Sequence, residues 1–434
     1  MKKDIYRPFF DKNTNTLDFI RYNTIGKNKN DYFDYTASGL AFRQIENRIR
    51  DVLETYANTH SKESLNANIT QQYYNEAIES LKNSLELNEE FAIIPSGCGS
   101  TAAIKKFQEL LGLYIPPATI KRFGISVAKK KLPLIIVGPY EHHSNEVSYR
   151  EALCEVVRIQ LTDEGLINLR QLKEILQENR HREIIGCFCI ASNVTGIITP
   201  YEEISRLLRL YGAIVCFDAA ASSSYMNIPC ELYDALVMSP HKLLGGPASC
   251  GILAIKKSLV DDTLAPTFAG GGTVAYVNSQ IQEYEKDIST RETAGTPGIL
   301  QLIRSALAYK LRNEIGFEFI KNQKKDLLTH LLKGLNKIEN ITIYGNKEED
   351  NIGIVSFNIA NVNPYKICEK LSSSSGIQTR AGCSCAGPYG HDLLGKKSKE
   401  ELEEKPGWLR ISVHYSQKKE DIDKLLNAIN DFIK

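Results

Sequence analysis

Between about residues 90 and 260, short apolar runs alternate with stretches whose apolar residues recur every three or four positions. The runs at 91–95, 132–137, 155–161, 184–190, 213–217, 235–238 and 251–255 are rich in Ile, Val and Phe and too short for buried helices, so they predict strands. The intervening segments 101–111, 169–179 and 201–210 carry the helical period. Strand–helix alternation with continuous apolar strands predicts an α/β fold, a mostly parallel seven-stranded sheet covered by helices. After about residue 300 the pattern changes. A long helical region (300–337) leads to strands at 341–344, 352–358 and 409–414 and a final helix near 420–433, which predicts a smaller α+β unit. The expected organisation is an N-terminal segment (1–45) packed on the small domain or the cleft, a large domain (46–300) and a small C-terminal domain (301–434).

Composition narrows the classes. The chain is 42% hydrophobic and 24% charged with a formal net charge of +1, which gives no electrostatic case for nucleic acid or a membrane surface. No stretch approaches the roughly 20 apolar residues that span a bilayer, and the charged start lacks the apolar run of a signal peptide. Ten cysteines are scattered without a CxxC pair, several of them inside apolar runs, a usage suited to a reducing compartment. A cytoplasmic protein is expected.

Candidate chemistry sits where the predicted strands end. Lys242, in Ser239-Pro240-His241-Lys242, follows the run 235–238, at the strand end where open α/β sheets place ligands. An amine there can form a Schiff base with an aldehyde cofactor once its surroundings lower its pKa. Ser239 and His241 can hydrogen-bond a phosphate. Asp218 ends the run 213–217, and a buried carboxylate needs a partner such as a protonated pyridine nitrogen; a helix cap is the plain alternative. The glycine-rich turn at 96–101 leads into a helix, so Ser100 and Thr101 can supply donors to an anion. His142 could stack on a pyridine ring and move protons, and Asn193 could bond the ring's phenolic oxygen. Paired histidines also admit a metal site, although neighbours on extended chain point apart.

These motifs stand in a recognisable order: EHHSN at 141–145, SNVTG at 192–196, FDAA at 217–220, SPHK at 239–242, AGTPG at 294–298, RAGCSCAGP at 380–388, and Arg410. The chain thereby resembles the class V aminotransferases, fold-type I enzymes of pyridoxal 5′-phosphate, and within them the cysteine desulfurase branch. The resemblance implies that Lys242 is the Schiff-base lysine, that Asp218 pairs the pyridine nitrogen, that His142 stacks on the ring and that Asn193 faces its oxygen. It further implies that Thr101, Ser239 and His241 take the phosphate, that Thr296 reaches the phosphate of a neighbouring subunit in a homodimer with shared sites, and that Arg410 forks onto the substrate α-carboxylate. Cys385 matches the cysteine that removes sulfur from L-cysteine as a persulfide, leaving alanine, with a sulfur-acceptor protein as the next partner. Two departures bear on the substrate. Ala221 stands where desulfurases usually carry a glutamine, and Cys383 and Cys385 form a CxC pair before a charged stretch at 396–405. The pair admits a nucleophile with a helper thiol, incidental cysteines in an enzyme of another amino acid, or a metal site with His391. The alternative activity is another class V reaction: transamination, β-elimination or epimerisation. The segment from Asp34 and that from Tyr56 to His60 also look like lining of the cleft.

Overall fold

The computed structural model describes residues 2–11, 14–59, 61, 63–395 and 407–433; His60 and the charged stretch at 396–405 lie outside the described residues. Seven strands form the main sheet: β1 (Phe91–Ser96), β2 (Leu134–Val137), β3 (Glu155–Arg158), β4 (Ile184–Cys189), β5 (Ile214–Asp218), β6 (Ala235–Met238) and β7 (Gly251–Lys256). Their spatial order is β1-β7-β6-β5-β4-β2-β3. The five strands from β6 to β3 are mutually parallel, whereas β7 runs antiparallel to both β1 and β6. Every residue of β2, β4 and β6 is buried, as continuous apolar strands between two helical layers require.

One apolar core joins a face of this sheet to helices such as Leu65–Ser84 and Ile299–Ile315. Ile5, Phe9, Ile20 and Phe42 of the N-terminal segment belong to it. A hairpin, β8 (Val274–Val277) with β9 (Gln282–Tyr284), stands apart from the sheet. A second, antiparallel sheet contains β10 (Ile341–Ile343), β11 (Ile354–Ile359), β12 (Arg380–Gly382) and β13 (Trp408–Ser412) in the order β10-β11-β13-β12. It has its own core, in which Phe33 packs with Leu327, Phe357, Leu409 and Ile411.

The predicted strands recur within a few residues of their expected bounds. Two details differ. The helical region 300–337 is two helices, Ile299–Ile315 and Phe317–Leu335, because Gly316 at φ 88° leaves the right-handed helical region and ends the first of them. The sequence pattern also gave no strand at β12, whose three residues, Arg-Ala-Gly, carry no apolar alternation. Among the described residues no helix is long and apolar enough to cross a membrane.

Candidate active site

The carboxyl ends of the parallel strands and the loops that follow them open onto one cleft of about 320 Å3. The end of β5 brings Asp218, the turn after β6 brings Ser239, His241 and Lys242, and the loop after β4 brings Asn193. The loop after β2 brings His142, and the turn after β1 brings Ser100 and Thr101. From the second sheet and its loops come Arg380, Cys385 and Arg410, while Thr36 and Ala37 arrive from the N-terminal segment. Ten of the eleven residues singled out from sequence thus line a single hollow. Thr296 does not. It is exposed and accepts a hydrogen bond from Asn58 Nδ2 at 3.0 Å.

One end of the cleft is an anion cradle. Helix Gly99–Leu110 begins there, so its first N–H groups are free of intrahelical partners. The N–H of Ser100 donates to Ser239 Oγ at 2.8 Å, and the hydroxyls of Thr101 and Ser144 meet at 2.7 Å. Gly99 is required twice over: its φ is +69°, and a Cβ would lie 2.9 Å from His241 Cε1. Burial, with Lys242 next to it, lowers the His241 pKa to about 4.

Burial also pushes the Lys242 ammonium down to about 8, although Asp218 holds it up. Asp218 is 5% exposed; burial raises its pKa, while the Ala220 N–H donating to its Oδ1 at 2.8 Å opposes that rise. His142 caps helix His143–Arg150, its Nδ1 accepting from the Ser144 N–H at 3.1 Å. Burial and then the charge of Lys242 lower its pKa to about 4, so the ring is neutral near pH 7. Asn193 donates from Nδ2 to the Ser384 carbonyl at 2.7 Å, and its buried Oδ1 has no hydrogen-bond partner among the described residues.

Glu141, one residue before His142, fixes this wall and went unweighed in the sequence. Its buried carboxyl accepts from the Cys189 N–H at 2.9 and 3.0 Å and from Asn145 Nδ2 at 2.7 Å. Burial raises its pKa to about 8. Asp34 is the second residue whose role the sequence left blank. Arg410, 2% exposed, donates from Nη2 to Asp34 Oδ1 at 2.7 Å and from Nη1 to the Asn193 carbonyl at 3.0 Å. Arg380 forks onto the same carboxylate, with Nε to Oδ2 at 3.0 Å and Nη2 to Oδ2 at 2.9 Å.

Cys385 sits on a tight turn. The Ala386 N–H donates to the Cys383 carbonyl at 3.1 Å, and both central residues have positive φ, 55° at Ser384 and 56° at Cys385. That is the pattern of a type I′ turn. The His143 N–H donates to the Cys385 carbonyl at 2.8 Å, which ties the turn to the wall bearing His142. The Cys385 thiol is exposed into the cleft, while Cys383 is half-buried against Tyr140, Tyr389 and Trp408. Ala221 lines the cleft beyond Asp218. Among the described residues no group of three or more His, Cys, Asp or Glu side chains is placed to hold a metal ion.

An amine, a buried carboxylate, an anion cradle and an unpartnered amide oxygen around one hollow suit a ligand that combines an aldehyde, a basic ring and a phosphate. Pyridoxal 5′-phosphate has these groups. Comparison with known proteins agrees with that chemistry. A relative from Pyrococcus abyssi, described as a "probable cysteine desulfurase", is 28% identical over 93% of this chain and 94% of its own length. One of the same description from Staphylococcus aureus is 27% identical over 92% of this chain and 91% of its own. The apo structure of cysteine desulfurase from Thermococcus onnurineus superposes with a TM-score of 0.81 at 24% identity, covering 96% of this chain and 98% of that one. A cysteine desulfurase from Escherichia coli gives 0.77 at 22% identity, covering 97% and 98%. These two structures share the fold. The sequence profile of the class V aminotransferases matches residues 31–425, and the chain belongs to that family of pyridoxal-phosphate-dependent enzymes.

Proposed function

We propose that this enzyme is a cysteine desulfurase, which takes sulfur from L-cysteine as a persulfide on Cys385 and leaves alanine. The observation that carries the reading is the presence of the Cys385 thiol in the same cleft as Lys242 and Arg410. The descriptions of the curated relatives support it.

In this reading Lys242 holds pyridoxal 5′-phosphate as a Schiff base, Ser100, Thr101, Ser239 and His241 hold the phosphate, and Asp218 faces the ring nitrogen. The cofactor, when bound, supplies an electron sink for the substrate carbons. Arg410 fixes the substrate α-carboxylate, since a planar guanidinium matches it bidentately. The Lys242 amine is basic enough to take and return the proton at the substrate α-carbon. His142, uncharged near neutrality, would face the cofactor ring without adding a positive charge beside it. Cys385, as thiolate, attacks the substrate sulfur; the S–S bond forms as the Cβ–S bond breaks, and a proton delivered to Cβ completes alanine. The reading includes a cytoplasmic homodimer in which Thr296 serves the neighbouring phosphate, and a protein that accepts the sulfur.

Ala221 beside Asp218 favours a second reading, another class V reaction on a different small amino acid. One experiment separates the two. Cys385→Ser is expected to abolish alanine and sulfide release from L-cysteine and the one-sulfur mass gain of the Cys385 peptide, while leaving the absorbance of bound cofactor in place. Keto-acid-dependent turnover that survives Cys385→Ser would decide for the second reading.

A further inference from the structure

Arg380 and Arg410 are direct cross-strand partners in the β12–β13 pair. Like charges directly opposite one another destabilise a sheet, so this pair needs a counterion. The N-terminal segment supplies it. That segment bridges the chain just before β12 and the end of β13: the Phe33 N–H donates to the Gln378 carbonyl, and the Ser412 N–H to the Phe33 carbonyl, each at 2.8 Å. Gln378 stands two residues before Arg380 and Ser412 two residues after Arg410. With a period of two, the guanidiniums and Asp34 therefore meet on one face.

The division of Asp34 between them is unequal. Arg380 is engaged through Nε and Nη2, whereas Arg410 gives only Nη2, and its buried Nε has no partner among the described residues. Arg380 is also the wetter side chain, 45% exposed, whereas that of Arg410 is buried. A soluble acid group entering the cleft would meet Arg380 readily, were its fork not already filled. All three charges reach the amine at the centre of the site. After burial and Asp218, the Lys242 ammonium feels Arg410 and Arg380 pushing it down and Asp34 holding it up.

We infer that Asp34 sets substrate specificity: by filling the fork of Arg380 it leaves one net positive charge, enough for a single α-carboxylate, and it keeps out amino acids with a second acid group. The inference rests on the reading of Arg410 as the α-carboxylate site and adds a role that reading lacks.

The test is a titration of the bound-cofactor absorbance with L-alanine, L-cysteine and L-aspartate. Wild type is expected to respond to L-alanine and L-cysteine and weakly to L-aspartate. In Asp34→Asn the affinity for L-aspartate relative to L-alanine is expected to rise about tenfold or more, since the freed Arg380 raises the net charge to two. Asp34→Glu should keep wild-type discrimination, and Asp34→Asn combined with Arg380→Gln should recover it by returning the net charge to one. A bridge that is only structural would lower the melting temperature of Asp34→Asn and leave the alanine-to-aspartate ratio unchanged; that result overturns the inference while Arg410 keeps its role. A wild-type spectrum indifferent to both L-alanine and L-cysteine would remove the amino-acid reading and this inference together. If Asp34→Asn fails to fold, Arg380→Gln alone decides: with Asp34 left to neutralise Arg410, affinity for L-alanine should fall about tenfold, and an unchanged affinity refutes the charge balance.

Discussion

Burial moves the Lys242 ammonium from the ordinary 10.5 to about 8, and this shift changes what the residue can do near neutrality. At pH 7.5 an amine of pKa 8 is about one quarter neutral, against about one part in a thousand at 10.5. Only the neutral form attacks an aldehyde, so cofactor-free protein mixed with pyridoxal 5′-phosphate should develop the bound-cofactor absorbance at a rate that climbs with pH and levels off above about 8. A rate still climbing at pH 10 would mean that the amine faces water. His142 moves in the same direction for the same reason, which removes its charge from that titration range. At this scale the sequence was most legible. Asp218 follows its apolar run directly and Lys242, Asn193 and His142 follow theirs within one short loop, and a strand end is where a parallel sheet exposes chemistry. Asp34 was legible only as lining. Its partner Arg410 lies 376 residues away, and a lone carboxylate in a segment without periodicity announces no ion pair.

Among the elements, the loop between β2 and helix His143–Arg150 is held by hydrogen bonds to Glu141 as well as by the packing of Tyr140 against Tyr389 and Trp408. Its carboxyl accepts from the Gly138 N–H at 3.2 Å as well as from Cys189 and Asn145, so one side chain joins the ends of β2 and β4. Glu141→Ala leaves the Gly138 and Cys189 N–H groups without this acceptor, while Asn145 keeps the Cys187 carbonyl, at a cost of roughly 1–3 kcal/mol for each donor that water cannot reach. Thermal unfolding is expected to show a loss of about 2 kcal/mol or more, with weaker cofactor binding as the wall carrying His142 shifts. A melting temperature equal to wild type would show that the loop has other supports. The strands themselves were readable because both faces of β2, β4 and β6 are dry and every position is apolar. The break at Gly316 was hidden because the helical period resumes immediately after it, and β12 was hidden because its arginine is recruited by charge rather than by burial.

For the whole molecule, the proposed homodimer assigns Thr296 to the neighbouring chain's site. It belongs to a motif that resembles a phosphate-contacting one, yet it sits on the surface, outside the cleft of its own chain. In the proposed homodimer that surface faces the partner's phosphate. Thr296→Asp, placing negative charge against a phosphate, is then expected to speed cofactor loss about tenfold or more while the protein still sediments as a dimer. Cofactor retention equal to wild type would mean that the sites are not shared.

The bridge from Asp34 to Arg410 also orders events in time. Lys242 and the other residues proposed to hold the cofactor within one chain precede Arg410, proposed to receive the substrate, by 168 residues or more. At about 5–20 residues per second that is a delay of roughly 10–30 s. The substrate end of the cleft is therefore complete only once the segment around Asp34 has met a strand made much later.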